Sequence, residues 1–352
     1  MTEVMRTAWG NPTALHPQGV AARGHLESAR QRLVAALGDG DIVWTSGCTE
    51  ANALAVLGAS RTHAGKIVVS TFEHAAVSTL ADRLAAEGRE VVRVAPARNG
   101  VLDAETFAGA AEGAGVVSLI AVQNEIGLVQ PLAELIAAIR ARAPHAHIHV
   151  DAAQAFGKIA LSASALAVDS IAIAGHKLHG PKGVGALWLR TGAKIEPLWI
   201  GGGQQHGLRG GTQDAPGAAG MGLAAERAIA ALPVSRARWL EHAAHVVSGL
   251  ETRGVAVRQL VPDQRRAPHI LALGIPGVPA SAMRSVLASR GVYVSTGSSC
   301  SDGAGKSSSV LVALGLPPDV GMVRLSFGHD TTADEVASAT TTLADVAIEL
   351  RA

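Results

Sequence analysis

HIHVDAAQAFGKIALSASALAVDSIAIAGHKLHGPKG occupies residues 147–183, and its reading decides the fold. It holds two short aliphatic runs, His147–Val150 and Ser170–Ala174, each followed by polar residues. Asp151 closes the first run, and His176 and Lys177 follow the second. One strand–helix–strand step separates them. In an open parallel sheet the carboxyl ends of the strands share one edge, and ligands bind there. The stretch therefore places Asp151 and Lys177 at the same sheet edge.

The same rhythm extends in both directions. Ile42–Trp44, Lys66–Ser70, Glu90–Val94, Val116–Val122 and Val184–Arg190 read as strands. Val116–Val122 is almost continuously apolar, as expected of a strand buried on both faces. Between them, 49–57, 74–87 and 132–143 carry helical patterns, and Leu26, Ala29, Leu33, Val34 and Leu37 share one helical face stopped by Gly38. The alternation predicts an α/β domain with a mainly parallel sheet. Residues 10–232 form this larger domain in our reading. A Gly-rich loop at 201–217 precedes two predicted helices, 218–232 and 235–252. Strands near 255–259 and 269–274, a helix over 279–289, a polar loop over 295–309 and a helix over 332–350 then give a smaller α+β domain, 233–352. Residues 1–9 are expected beside it.

Composition narrows the function. Lys+Arg 30 against Asp+Glu 29 leaves a formal charge of +1, so no field exists to hold nucleic acid or an acidic membrane. No apolar stretch approaches the ~20 residues of a membrane span. The start MTEVMRTAWGNP shows no apolar signal segment. The two cysteines, Cys48 and Cys300, make no disulfide framework, which points to the cytoplasm.

Four polar segments follow predicted strands: TSGCTEAN (45–52), FEHAAV (72–77), HVDAAQ (149–154) and IAGHKLHGPKG (173–183). Ser46-Gly47-Cys48-Thr49 opens a helix whose free N–H groups suit a phosphate, or it is an ordinary N-cap. Asp151 either caps the next helix or serves a ligand. A lysine entering an apolar crevice is suited to Schiff-base chemistry; a solvated turn lysine describes Lys182 better than Lys177. Asp151 and Lys177 together point to pyridoxal phosphate, which needs a lysine, an acid for its ring nitrogen and a phosphate cradle. His74 stands ready to stack on the ring or to cap its helix. Cys300 in STGSSCSDG, among small polar residues, reads as a nucleophile. DGAGKSSS (302–309) lacks the first P-loop glycine, since Cys300 stands at that position. His145, His147 and His149 share a strand face, but no second ligand cluster accompanies them, so no metal is expected.

These segments resemble the cysteine desulfurases, fold-type I pyridoxal phosphate enzymes of the class V aminotransferase group. The likeness runs from GNPTALHPQG (10–19) through TSGCTEAN, EHAAV, QNEIGLVQPL (123–132), DAAQAFGKI, GHKLHGPKGVGAL and GGGQQHGLRGGTQ (201–213) to STGSSCSDG and VRLSFGHDTT (323–332). It implies a pyridoxal 5'-phosphate cofactor carried on Lys177, with Asp151 on the ring nitrogen, Gln154 on the phenolic oxygen and His74 stacked on the ring. Cys48, Thr49 and His176 would line the phosphate, and Thr212 would reach the phosphate of the neighbouring subunit in a homodimer. Asn124 and Arg324 would hold the carboxylate of L-cysteine. Cys300 would form the persulfide that passes to a sulfur-acceptor protein or scaffold, as in iron–sulfur cluster assembly. The Cys300–Arg324 interval resembles the long-loop branch. Two other readings stand beside this one: a lyase of the same fold acting on selenocysteine or another C–S substrate, and a catalytically weak assembly partner.

Overall fold

The computed structural model describes residues 1–296, 309–317 and 320–351. Cys300 and most of the predicted polar loop lie outside the described residues. The chain divides into two units: Met1–Ala95 with Leu102–Ala121 and Pro131–Ala230, and Pro96–Val101 with Val122–Gln130 and Ala231–Ala352. The helix α1 (Thr2–Thr7) thus lies in the first unit, whereas the sequence reading put residues 1–9 beside the second. Residues 96–101 and 122–130, expected in the first, cluster with the second.

The first unit is built on a seven-stranded sheet of order β1-β7-β6-β5-β4-β2-β3. Its strands are β1 (Asp41–Thr45), β2 (Lys66–Ser70), β3 (Val91–Val94), β4 (Ala114–Ile120), β5 (His147–Asp151), β6 (Ser170–Ala174) and β7 (Gly185–Leu189). β7 pairs antiparallel with both β1 and β6, and the remaining pairs are parallel. Every residue of β4 to β7 is buried, as expected of central strands covered on both faces. The helix α2 (Pro17–Leu37) buries Leu26, Ala29, Leu33 and Leu37, and it ends at Gly38 with φ 104°, a backbone that favours glycine. The helix α3 (Cys48–Thr62) packs Ala51, Leu54 and Ala55 onto Val43, Val69, Val116 and Ala172 of the sheet. α4 (Ala75–Ala86), α5 (Ala104–Ala111), α6 (Leu132–Arg142) and the short α7 (Ala163–Leu166) complete the crossovers.

One expected break does not occur. Residues 215–252 form a single helix, α8 (Ala215–Thr252), that runs through Pro233. An interior proline costs about 3 kcal/mol. Both halves bury side chains that recover this, Ala218, Met221 and Ala225 before it and Trp239, Ala243, Val246 and Leu250 after it. The second unit carries a three-stranded antiparallel sheet of β8 (Arg258–Gln259), β9 (Ile270–Pro276) and β10 (Val320–Ser326), in which Arg324 pairs with Ala272. The strand β10 was not expected from the sequence. α9 (Ala280–Ser289), α10 (Ser309–Ala313) and α11 (Ala333–Glu349) follow, and Leu271, Leu273, Met283, Leu287, Val323, Leu343 and Val346 form the core. Among the described residues no helix is long and apolar enough to cross a membrane.

Buried Asp169 aligns the start of β6. Its carboxylate accepts from Ile148 N at 2.8 Å, from Arg190 Nε at 3.0 Å and from Arg140. Removing it strands a buried N–H and two guanidinium groups. Asp169→Ala should destabilise the protein by about 2–4 kcal/mol in denaturant titration, discounted for the exposed Arg190. A loss under about 0.5 kcal/mol would remove this ion cluster from the account.

Candidate active site

The carboxyl ends of β1, β2, β5 and β6 lie on one edge of the first unit's sheet, and each opens onto a polar segment. β1 leads through Gly47 into α3, and β2 leads to Glu73 and His74. β5 ends on Asp151. β6 leads into a tight turn, Gly175–Leu178, that carries Lys177.

Asp151 is buried, and three groups fix its carboxylate. Oδ2 accepts from Asn52 Nδ2 at 2.7 Å. Oδ1 accepts from Ala153 N at 2.9 Å and from the Cys48 thiol at 3.6 Å. Burial pushes the Cys48 thiol well above its usual range, Asp151 adds to the rise, and Lys177 partly opposes it. Cys48 therefore sits in the field of both the acid and the lysine. It is too fully protonated to act as a nucleophile.

Glu73 is a residue that sequence reading missed. It accepts from Ile120 N at 2.8 Å and from Ser70 Oγ at 3.1 Å, tying the end of β2 to that of β4. Burial, and then Asp151, raise its pKa from 4.5 to about 8. A neutral carboxylic acid thus stands near the Asp151 charge. Its only sequence signal was a glutamate directly before His74 in an otherwise apolar setting.

The start of α3 has the form of an anion cradle. Gly47 is its N-cap, with no side-chain capping bond, so neither Ser46 nor Thr49 fills that role. A Cβ at Gly47 would meet nothing within 4 Å. A Cβ at Gly185 would come within 2.6 Å of Gly47, so β7 must carry glycine there for the cradle to keep its shape. Glu50 turns back to accept from Ser46 N at 2.6 Å and from Arg209 Nε at 3.0 Å. Arg209 also lies over the Trp199 ring at 5.7 Å, and Gln205 Nε2 donates to Trp44 O at 2.9 Å. These bonds fasten the Gly-rich segment to β1 and α3. Thr49, His176 and Thr212 are exposed. Partial loss of solvent, and then Lys177, Lys158 and Lys182, lower the His176 pKa.

His74 caps α4, its Nδ1 accepting from Ala76 N at 3.1 Å, so the capping alternative is realised while the ring stays half-buried at the sheet edge. Gln154 accepts from Lys158 Nζ at 3.2 Å. The lysine, the buried acid and the open, uncapped helix start together fit pyridoxal phosphate.

In the second unit, Arg324 Nη1 donates to the backbone oxygen of Asn124 at 2.7 Å, and the buried Arg324 Nε has no hydrogen-bond partner among the described residues. An unsatisfied guanidinium nitrogen suits an incoming carboxylate. Arg324 N also donates to Ser295 O at 2.7 Å, which pins the chain shortly before Cys300. His145 precedes β5 and is exposed, whereas His147 and His149 are buried and bonded to Ser170.

The Aminotransferase class-V family matches residues 1–338. A protein of Cereibacter sphaeroides named cysteine desulfurase is 36% identical over 365 residues, covering 100% of this chain and 92% of that protein. The cysteine desulfurase IscS of Dictyoglomus turgidum is 33% identical over 344 residues, with 96% and 87% covered. A solved NifS-like protein superposes with a TM-score of 0.91 at 31% identity, covering 99% of this chain and 95% of that one.

Glu73 makes a signed prediction. Its folded pKa of about 8 lies above the 4.5 of the unfolded chain. Its stabilising contribution is complete below about pH 4.5 and falls progressively as pH rises to about 8. Glu73→Gln keeps the shape and removes the titration. Chemical denaturation across that range should show a flatter pH profile for the variant. Parallel profiles for the two proteins would show that Glu73 titrates alike in both states.

Proposed function

The chain belongs to the class-V aminotransferase family and, within it, to the cysteine desulfurases, and from that membership we propose how its own residues divide the work. It takes sulfur from L-cysteine with pyridoxal 5'-phosphate as cofactor. The observation that carries the assignment of the site is the position of Asp151 at the end of β5 and of Lys177 in the turn after the adjacent β6, at neighbouring ends of one sheet edge.

When bound, the cofactor supplies an electron sink for the carbon it activates. Lys177 holds it covalently and afterwards moves the substrate's α-proton through Nζ. Asp151 would accept the ring N–H, Gln154 would donate from Nε2 to the phenolic oxygen, and His74 would cover a ring face. The N–H groups after Gly47, with Thr49 and His176, hold the phosphate beside Cys48. Arg324 takes the substrate carboxylate, with Asn124 beside it. The Cys300 thiolate attacks the substrate sulfur: an S–S bond forms, the Cβ–S bond breaks, and its electron pair stays with carbon. Protonation of that carbon yields alanine and leaves a persulfide on Cys300. The persulfide then passes to an acceptor protein or scaffold in the cytoplasm.

A homodimer completes the site, with Thr212 of each copy serving the other's phosphate. Trp9, Leu15, Trp199 and Ile200 are exposed apolar residues of the first unit, between 54% and 98% accessible, and a second copy would cover such a surface.

Lys177→Ala should purify without the absorbance band of lysine-bound cofactor. The same band in the variant would assign the cofactor to another lysine. Cys300→Ser should keep the band and its response to L-cysteine yet lose sulfide release by at least a hundredfold, because a serine hydroxyl stays protonated where a thiol is partly ionised. Undiminished release would remove Cys300 from the reaction.

A further inference from the structure

Asp151 ends a chain of buried polar side chains that crosses α3, β5 and β6. Asn52 Nδ2 donates to Asp151 Oδ2 at 2.7 Å. Asn52 Oδ1 lies 2.9 Å from His149 Nε2, and His149 Nδ1 lies 2.8 Å from Ser170 Oγ. The same oxygen lies 2.8 Å from His147 Nε2. Asn52, His149 and Ser170 have no exposed surface, and His147 is 2% exposed. The His147 ring meets half-buried His63 edge-on, with centroids 5.6 Å apart.

The carboxylate fixes the direction of the first bonds in this chain, and a neutral His149 fixes the rest. The carboxylate only accepts, so Asn52 must present its NH2 group to Asp151 and its carbonyl oxygen to His149. His149 must then carry its hydrogen on Nε2. Burial, with His147 adding to it, lowers the His149 pKa to about 3, so Nδ1 is a bare acceptor for the Ser170 hydroxyl. Ser170, its hydrogen used, accepts from His147 Nε2–H. Burial likewise lowers the His147 pKa to about 4, opposed by Asp169 and assisted by His63, Arg140 and Arg190. Each donor in the chain therefore points towards Asp151.

A carboxylate has about four acceptor positions. Ala153 N and the Cys48 thiol take those on Oδ1, and Asn52 takes one on Oδ2. Among the described residues, one position on Oδ2 is left. We propose that Asn52, His149 and Ser170 are positioning residues that set the plane of the Asp151 carboxylate so that this last lone pair meets the ring nitrogen of the cofactor. Packing alone would not require them, since apolar side chains of similar volume hold strands and a helix together without buried polar groups to satisfy. The inference rests on the assignment of Asp151 to the ring nitrogen.

The test is a double-mutant cycle on cofactor retention. The rate at which pyridoxal phosphate leaves the holoenzyme on dialysis is measured for Asn52→Leu, Asp151→Asn and the pair, with thermal melts as the check on folding. Each single variant should lose cofactor about tenfold faster or more, as for a hydrogen bond to a charged group. The pair should lose it no faster than Asp151→Asn alone, because Asn52 acts through Asp151. Multiplying losses would make Asn52 a packing residue and overturn the proposal. Ser170→Ala removes one oxygen and reads the far end of the chain should Asn52→Leu not fold. It should loosen the cofactor in the parent and not in Asp151→Asn, and parental retention would overturn the proposal. If Asp151→Asn itself retains cofactor as the parent does, the assignment of Asp151 fails and the inference falls with it.

Discussion

A carboxylate buried at the end of a parallel strand has to be satisfied by the protein around it, and Asp151 sets that requirement here. Burial takes it out of bulk water, so α3 and the turn after β5 supply the partners. Asn52 and Cys48 come from α3, and that helix can reach β5 only because β1 delivers its first turn to the same sheet edge. The arrangement also explains the state of Glu73. A second carboxylate near the first costs less as the neutral acid, and its pKa of about 8 reflects burial first and Asp151 second.

The cradle and the acid are parts of one construction. α3 begins at an uncapped glycine, so its N–H groups remain available to an anion, and its first two turns supply Cys48 and Asn52 to Asp151. Glu50, between them, binds Ser46 N and Arg209 and so fastens the Gly-rich segment to the same helix. A single helix therefore couples the anion cradle to the buried acid. Substitutions that shift α3 should disturb both together.

Much of this was legible in the sequence, and the misses have physical causes. Aliphatic runs ending in polar residues gave the strands and the shared edge, because a parallel sheet buried on both faces leaves few other patterns. Asp151, Lys177 and His74 stood out because each follows such a run. Asn52, His149 and Ser170 did not, since their partners come from three separate segments and periodicity reports burial alone. HIHV read as a packed strand face; the signal available was that histidines at buried positions need hydrogen-bond partners. Pro233 misled because local helix cost was weighed without the burial on both sides of it. β10 was missed because VRLSF was read for its arginine and not for its apolar alternation.

The account stands on the proposed contact between Asp151 and the ring nitrogen. Magnetic resonance of the holoenzyme, loaded with pyridoxal phosphate isotopically labelled at that nitrogen, reports directly whether it carries a proton. The predicted spectrum shows a protonated ring nitrogen throughout the neutral range, and a bare one in Asp151→Asn. A bare ring nitrogen in the parent protein, or a protonated one in both, would contradict the account.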